Sequence, residues 1–225
     1  MKTKNLIIIS VMALVFNACV IKSINPFFTE KDVIFKNEIL GSWTDNDSGK
    51  WDIEQYKFSK GWNRGDSLDN SYRVLYTDNE GYKAVFNAHI FKLNTDYYID
   101  FFLLMADNFN DDEVITTHLL PTHSLAKLNL RNNSDIEIKW FNEDWLKQLF
   151  NENKIKLSHQ IVNSQDENIG EFYVLTASTE ELQKFIVKYG NEPGAFENPS
   201  GTVYKDGRKP LIFNLKKIRD NVYSK

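Results

Sequence analysis

From Ile39 onward, apolar and polar positions alternate mostly with a period of two. Residues 72–76 and 82–93 are rich in aromatic and β-branched side chains, and the turn-forming run Thr77-Asp78-Asn79-Glu80-Gly81 separates them. This spacing predicts a hairpin. Asn94-Thr95-Asp96 then predicts a second turn into 97–104, long and apolar enough for a central strand. Further strands are expected at 41–44 and 51–58 around the loop Asp45-Asn46-Asp47-Ser48-Gly49, at 124–130 and 135–141, at 171–176, and at 211–215. Two segments change period. Residues 142–151 open with Asn142 as a helix cap and bring Trp145, Leu146, Leu149 and Phe150 to one side. Residues 178–190 open with Ser178 three positions before Glu181, a capping-box spacing, and stop at Gly190. The fold class expected is mainly β, an antiparallel barrel with a short inserted helix at about 142–151 and a late flanking helix at about 178–190.

The first nineteen residues follow a different pattern. Lys2 and Lys4 precede an apolar run from Leu6 to Phe16, followed by Asn17-Ala18-Cys19. A charged start, an apolar core too short to span a bilayer and a small residue before the cut define an export signal. Leu14-Val15-Phe16-Asn17-Ala18-Cys19 resembles the lipobox of bacterial lipoproteins. It departs from that pattern at Phe16, where leucine is preferred, and at Asn17, where Ser, Ala or Thr is commoner. The resemblance implies cleavage after Ala18, acylation of Cys19 with chains such as palmitate, and a membrane as the partner reached through that cysteine. The expected organisation is a cleaved signal at 1–18, an acylated cysteine and tether at 19–28, and a single β-rich domain at 29–225. The location implied is the cell envelope. Val20 follows the cysteine in place of the aspartate that retains some lipoproteins at the inner membrane, which favours the outer membrane.

Composition narrows the function classes. Lys2 and Lys4 are the only charged residues before Cys19, so the mature chain sets 25 basic against 31 acidic side chains, a net of −6. That sign argues against nucleic acid as a partner and against a polybasic grip on anionic lipid. Cys19 is the one cysteine, so no internal disulfide forms. Aromatic residues make up 14% of the chain, enough to build a core without such staples.

The segment 32–43, ending in Gly41-Ser42-Trp43, resembles the opening of lipocalin-like (calycin) barrels, where a G-x-W stands at the start of the first strand. The resemblance implies that Trp43 plugs the closed end of the barrel and that Gly41 permits a tight turn beside it. The insertion holding Trp145 and the long tail after Gly190 depart from a minimal lipocalin. The chain as a whole resembles uncharacterised lipoproteins of Bacteroidota-like bacteria, which supplies no activity.

Catalytic and metal patterns are sparse. His118 and His123 stand five apart without cysteines or carboxylates at ligand spacing, and the loops 45–49 and 108–113 lack the twelve-residue calcium pattern. Neither a metal nor a cofactor is expected. No G-x-S-x-G elbow and no glycine-rich phosphate loop occurs. Asp100 interrupts the apolar run 97–104, on the strand face shared by Tyr98 and Phe102. Trp51, Tyr56, Phe86, Tyr98, Asp100 and Phe102, with Tyr82, are the candidates for lining a ligand cavity, and they serve equally well as core. The expected function is a lipid-anchored, non-enzymatic envelope module binding a small hydrophobic ligand. The alternatives are an envelope hydrolase without a recognisable motif and a structural or complex-forming lipoprotein with a filled barrel.

Overall fold

The computed structural model describes residues 20–59, 66–106, 120–132, 134–163, 171–197 and 211–218. Eleven strands run in chain order as β1 (Lys22–Ser23), β2 (Gly41–Thr44), β3 (Lys50–Ser59), β4 (Asp66–Thr77), β5 (Lys83–Leu93), β6 (Asp96–Ala106), β7 (His123–Asn132), β8 (Asp135–Trp140), β9 (His159–Asn163), β10 (Glu171–Leu175) and β11 (Ile212–Lys217). Helix α1 (Glu143–Asn151) lies between β8 and β9, and α2 (Thr179–Tyr189) follows β10.

Strands β2 to β8 form a meander. β11 enters between β8 and β2, and every neighbouring pair is antiparallel, so eight strands close a barrel. Closure satisfies both edges of every barrel strand, which an open sheet cannot do. The fold is that of the expected antiparallel barrel and is compatible with a lipocalin-like one. Its turns form where the chain tolerates positive φ: Ser48 (68°) in the β2–β3 loop, Gly81 (95°) in the β4–β5 turn and Asn94 (54°) in the β5–β6 turn.

The two helices start where their caps predict. The Asn142 side chain accepts from the backbone N–H groups of Asp144 and Trp145, and Ser178 and Glu181 form a complete capping box. Leu146 and Leu149 of α1 and Leu182, Phe185 and Ile186 of α2 are buried. They pack with Phe91, Tyr98 and Leu125 on the outer wall of β5, β6 and β7. The described residues thus form two apolar cores, one inside the barrel and one between the barrel wall and the helices.

One expected boundary is corrected. Residues 20–28, read as a tether because of Pro26 and the small polar residues around it, belong to the folded body. β1 pairs in parallel with β10 (Lys22 with Val174, Ser23 with Leu175) and meets β7 at His123. Ile21 and Phe27 are buried in the outer core. β9 and β10 form an antiparallel hairpin, so β1, β10 and β9 make a three-stranded flange on β7 beyond the end of β8.

Candidate functional site

The barrel interior is the first place to look for a ligand, and among the described residues it is closely packed. Trp51 contacts Tyr76, Phe101, Trp140 and Phe213, and Phe101 stacks on Trp140 with centroids 4.9 Å apart. Nearer the opposite end, Tyr72 stacks on Phe35 at 4.9 Å, and its hydroxyl accepts from the Lys36 N–H at 2.6 Å. Burial pushes the Tyr72 phenol pKa up to about 12. The space left among Ile39, Trp51, Ile53, Tyr72, Phe101 and Ile138 is about 10 Å³. One water needs roughly that much room.

Polar groups near this core serve the packing. The Trp51 Nε1–H donates to Asp45 Oδ2 at 2.9 Å, while Asp45 Oδ1 accepts from the N–H groups of Asp47 and Gly49. The 45–49 loop therefore turns its first carboxylate inward, and a Cβ on Gly49 would stand 2.5 Å from Asp45 Oδ2. Trp43 is wholly buried, with its Nε1–H donating to Ile39 O at 2.9 Å. Gly41, at φ 120°, makes the turn into β2 from the short helical turn Asn37–Ile39.

The residues considered together as a ligand lining are divided by the barrel wall. Trp51 belongs to the interior core, and Phe86 packs against it. Tyr98, Asp100 and Phe102 point outward: Tyr98 joins the outer core against Phe196, and Phe102 meets the His123 ring at 4.8 Å. Tyr56 falls at the bulge between Gln55 and Lys57 and belongs to neither core. Tyr82 is exposed in the β4–β5 turn. Cys19 and His118 lie outside the described residues.

Asp100 is the centre of a polar cluster on that outer wall. It is fully buried, and its Oδ2 accepts from the Phe27 N–H at 2.8 Å while Oδ1 lies 2.7 Å from His123 Nδ1. His89, directly opposite Asp100 on β5, stacks on Phe28 at 4.2 Å. Asn87, opposite Phe102, buries an Oδ1 with no hydrogen-bond partner among the described residues. A carboxylate that accepts from Nδ1–H fixes an imidazole with Nε2 free to accept a proton, the arrangement used by general bases. Among the described residues no hydroxyl or thiol hydrogen-bonds His123 to act as its nucleophile, and no group of three metal-ligating side chains occurs.

Burial lowers the His89 pKa below its ordinary value, outweighing the opposing pull of the Asp100 and Asp69 charges. The unfolded chain therefore takes up this proton more readily than the folded one. Stability from neutral His89 is present above the ordinary histidine value of about 6.5 and falls as pH drops through the lower folded value. His89→Gln is expected to flatten the decline in melting temperature between about pH 7 and about pH 5. An identical decline in the variant would assign the slope to other groups.

An open cleft of about 470 Å³ lies farther along the outer wall, between β6, β7, β8 and the segment 190–197. Both of its lysines are paired. Lys127 Nζ bridges Asp96 (3.1 Å) and Asn191 (2.7 Å), and Lys139 Nζ bridges Glu137 (3.3 Å) and Glu197 (2.6 Å). Burial opposes ionisation of Glu137, but hydrogen bonds from Asn129 and Lys139 hold its pKa below the usual carboxylate value. Sequence reasoning missed this cleft because its residues come from distant segments and carry no shared motif.

Comparisons with protein-family models, with curated proteins and with solved structures find no match for this chain.

Proposed function

We propose that this chain is an acylated cell-envelope protein that works as a non-enzymatic binding or assembly module, engaging its partners from outside a filled barrel. The observation that carries the reading is that the space left among the described interior side chains is about 10 Å³, which favours the complex-forming alternative over a hydrophobic ligand held within the barrel. The anchor rests on the signal pattern ending at Ala18-Cys19, and Val20 after the cysteine supports the outer membrane. The barrel then acts as a rigid body that presents its outer surfaces, including the cleft along β6, β7 and β8, at the membrane.

Two measurements test this. Cells fed radioactive palmitate are expected to label the protein, and Cys19→Ala is expected to abolish the label; label that survives the substitution refutes the anchor. Native mass spectrometry of purified Cys19→Ala protein is expected to give the mass of the polypeptide alone. A co-purifying apolar small molecule would return the barrel interior to consideration as a binding site.

A further inference from the structure

We infer that the face of the β1–β10–β9 flange turned away from the helices is the surface on which the protein rests against the lipid bilayer. The inference builds on the acylation of Cys19 proposed above and adds the orientation of the body.

The chain leaves no slack between anchor and fold. Val20 bridges Asn142, Ile21 is fully buried, and Lys22–Ser23 already pair with β10 and β7. Cys19 is one residue before Val20, a step of about 3.8 Å between Cα atoms. Acyl chains on Cys19 therefore enter the bilayer beside β1, with no linker to let the body turn away.

Strand alternation decides which face of the flange lies opposite the helices. Ser23, Tyr173 and Leu175 are buried toward the helices, and Tyr173 stacks on Phe150 of α1. The opposite face then carries Lys22 on β1, Phe172 and Val174 on β10, and Gln160 and Val162 on β9, by the register Lys22–Val174, Phe172–Val162 and Val174–Gln160. Lys22 Nζ lies 4.4 Å above the Phe172 ring, which confirms that the two share a side. Ile24, whose N–H continues the ladder to Leu175 O, is 47% exposed, and Val162 is 38% exposed.

Among these described positions stand one cation and no carboxylate. A chain of net negative charge has here placed apolar side chains and a lysine, the composition suited to the boundary between acyl chains and anionic headgroups. The face is too small to hold a membrane alone. With the acyl chains supplying the affinity, it needs only to fix orientation.

The test uses full-length acylated protein in vesicles of phosphatidylethanolamine and phosphatidylglycerol that carry a quencher in their acyl chains. A polarity-sensitive fluorophore is attached through Val162→Cys, or through Val187→Cys on α2, which is 49% exposed and packed on the other side of the body. Acylation occupies Cys19, so each label has one site. Quenching is expected at position 162 and not at 187. A spacer of about twelve Gly and Ser residues after Cys19, spanning roughly 20 Å, is expected to reduce it at least about twofold. Equal quenching at both positions, or none at either, on protein whose mass shows acylated Cys19 overturns the orientation alone. A mass showing unmodified Cys19 overturns the anchor reading and the orientation with it.

Discussion

Phe101→Ala is expected to lower the unfolding free energy by about 3–5 kcal/mol, the largest effect foreseen for a single truncation in this chain. The Phe101 ring is buried at the centre of the barrel, stacked on Trp140 and edge-on to Trp51 and Phe86. Its neighbours are themselves fixed. Trp51 is tied to Asp45 by its indole N–H, and Trp140, the last residue of β8 before the helical insertion, meets Phe213 edge-on at 5.6 Å. A ring removed from such a set leaves a void its neighbours cannot fill, so the cost includes the cavity as well as the lost transfer free energy. Urea unfolding of the wild type and the variant measures it, with Phe102→Ala, on the outer face and only partly buried, as the comparison. The void would be apolar and dry, and benzene is expected to stabilise Phe101→Ala while leaving the wild type unchanged. A loss below about 1 kcal/mol, or stabilisation of the wild type by benzene, would mean that the interior is loosely packed and open to ligands.

The same ring explains why the sequence suggested a cavity. In β6 both faces are apolar: Ile99 and Phe101 face the barrel interior, while Tyr98 and Phe102 face outward. Alternation correctly groups Tyr98, Asp100 and Phe102, but a strand covered on both sides gives no sign of which face lies inside. That is how Trp51 and Phe86 came to be grouped with outward residues. The strands of the meander were legible because each turn has its own local chemistry at Ser48, Gly81 or Asn94. Both helices were legible through their caps. β1 and β9 were not. β1 is two residues long and its parallel partner Val174 is 152 positions away, a pairing that no local pattern encodes. Without it, Val20 to Phe28 has the small polar residues and proline of a linker, and only Ile21 and Phe27 hint at burial. Asp100 was legible as an anomaly, but its partners were not, because they come from β7 and from the segment read as a tether.

Asp100→Ala is expected to cost about 3 kcal/mol and to loosen the N-terminal segment before the barrel. The carboxylate is fully buried and bonds two groups from opposite directions: the Phe27 backbone N–H at 2.8 Å and His123 Nδ1 at 2.7 Å. A hydrogen bond to a charged group contributes about 1.5–3 kcal/mol, and a buried donor left without a partner bears its full desolvation cost. Alanine here strands both. Asp100→Asn retains one acceptor oxygen and is expected to cost about half as much, since its amide turns a donor toward one of two donors. The effect should be local at first. Phe27 is the point at which the segment after β1 is fastened to the barrel wall, with Asn25 Nδ2 on Ala177 O, Thr179 Oγ1 on Pro26 O and Gln183 Nε2 on Phe27 O holding the rest to the end of β10 and to α2. Amide exchange around Phe27 should therefore accelerate in Asp100→Ala at denaturant concentrations where amides of β3 and β4 remain protected. Unchanged protection at Phe27 together with a stability loss below about 0.5 kcal/mol would remove Asp100 from this role. If the acylated Cys19 holds the chain at the bilayer, this carboxylate is one of the bonds through which the anchor's segment is joined to the barrel. The variant would then leave membrane attachment intact while freeing the barrel to move relative to the membrane.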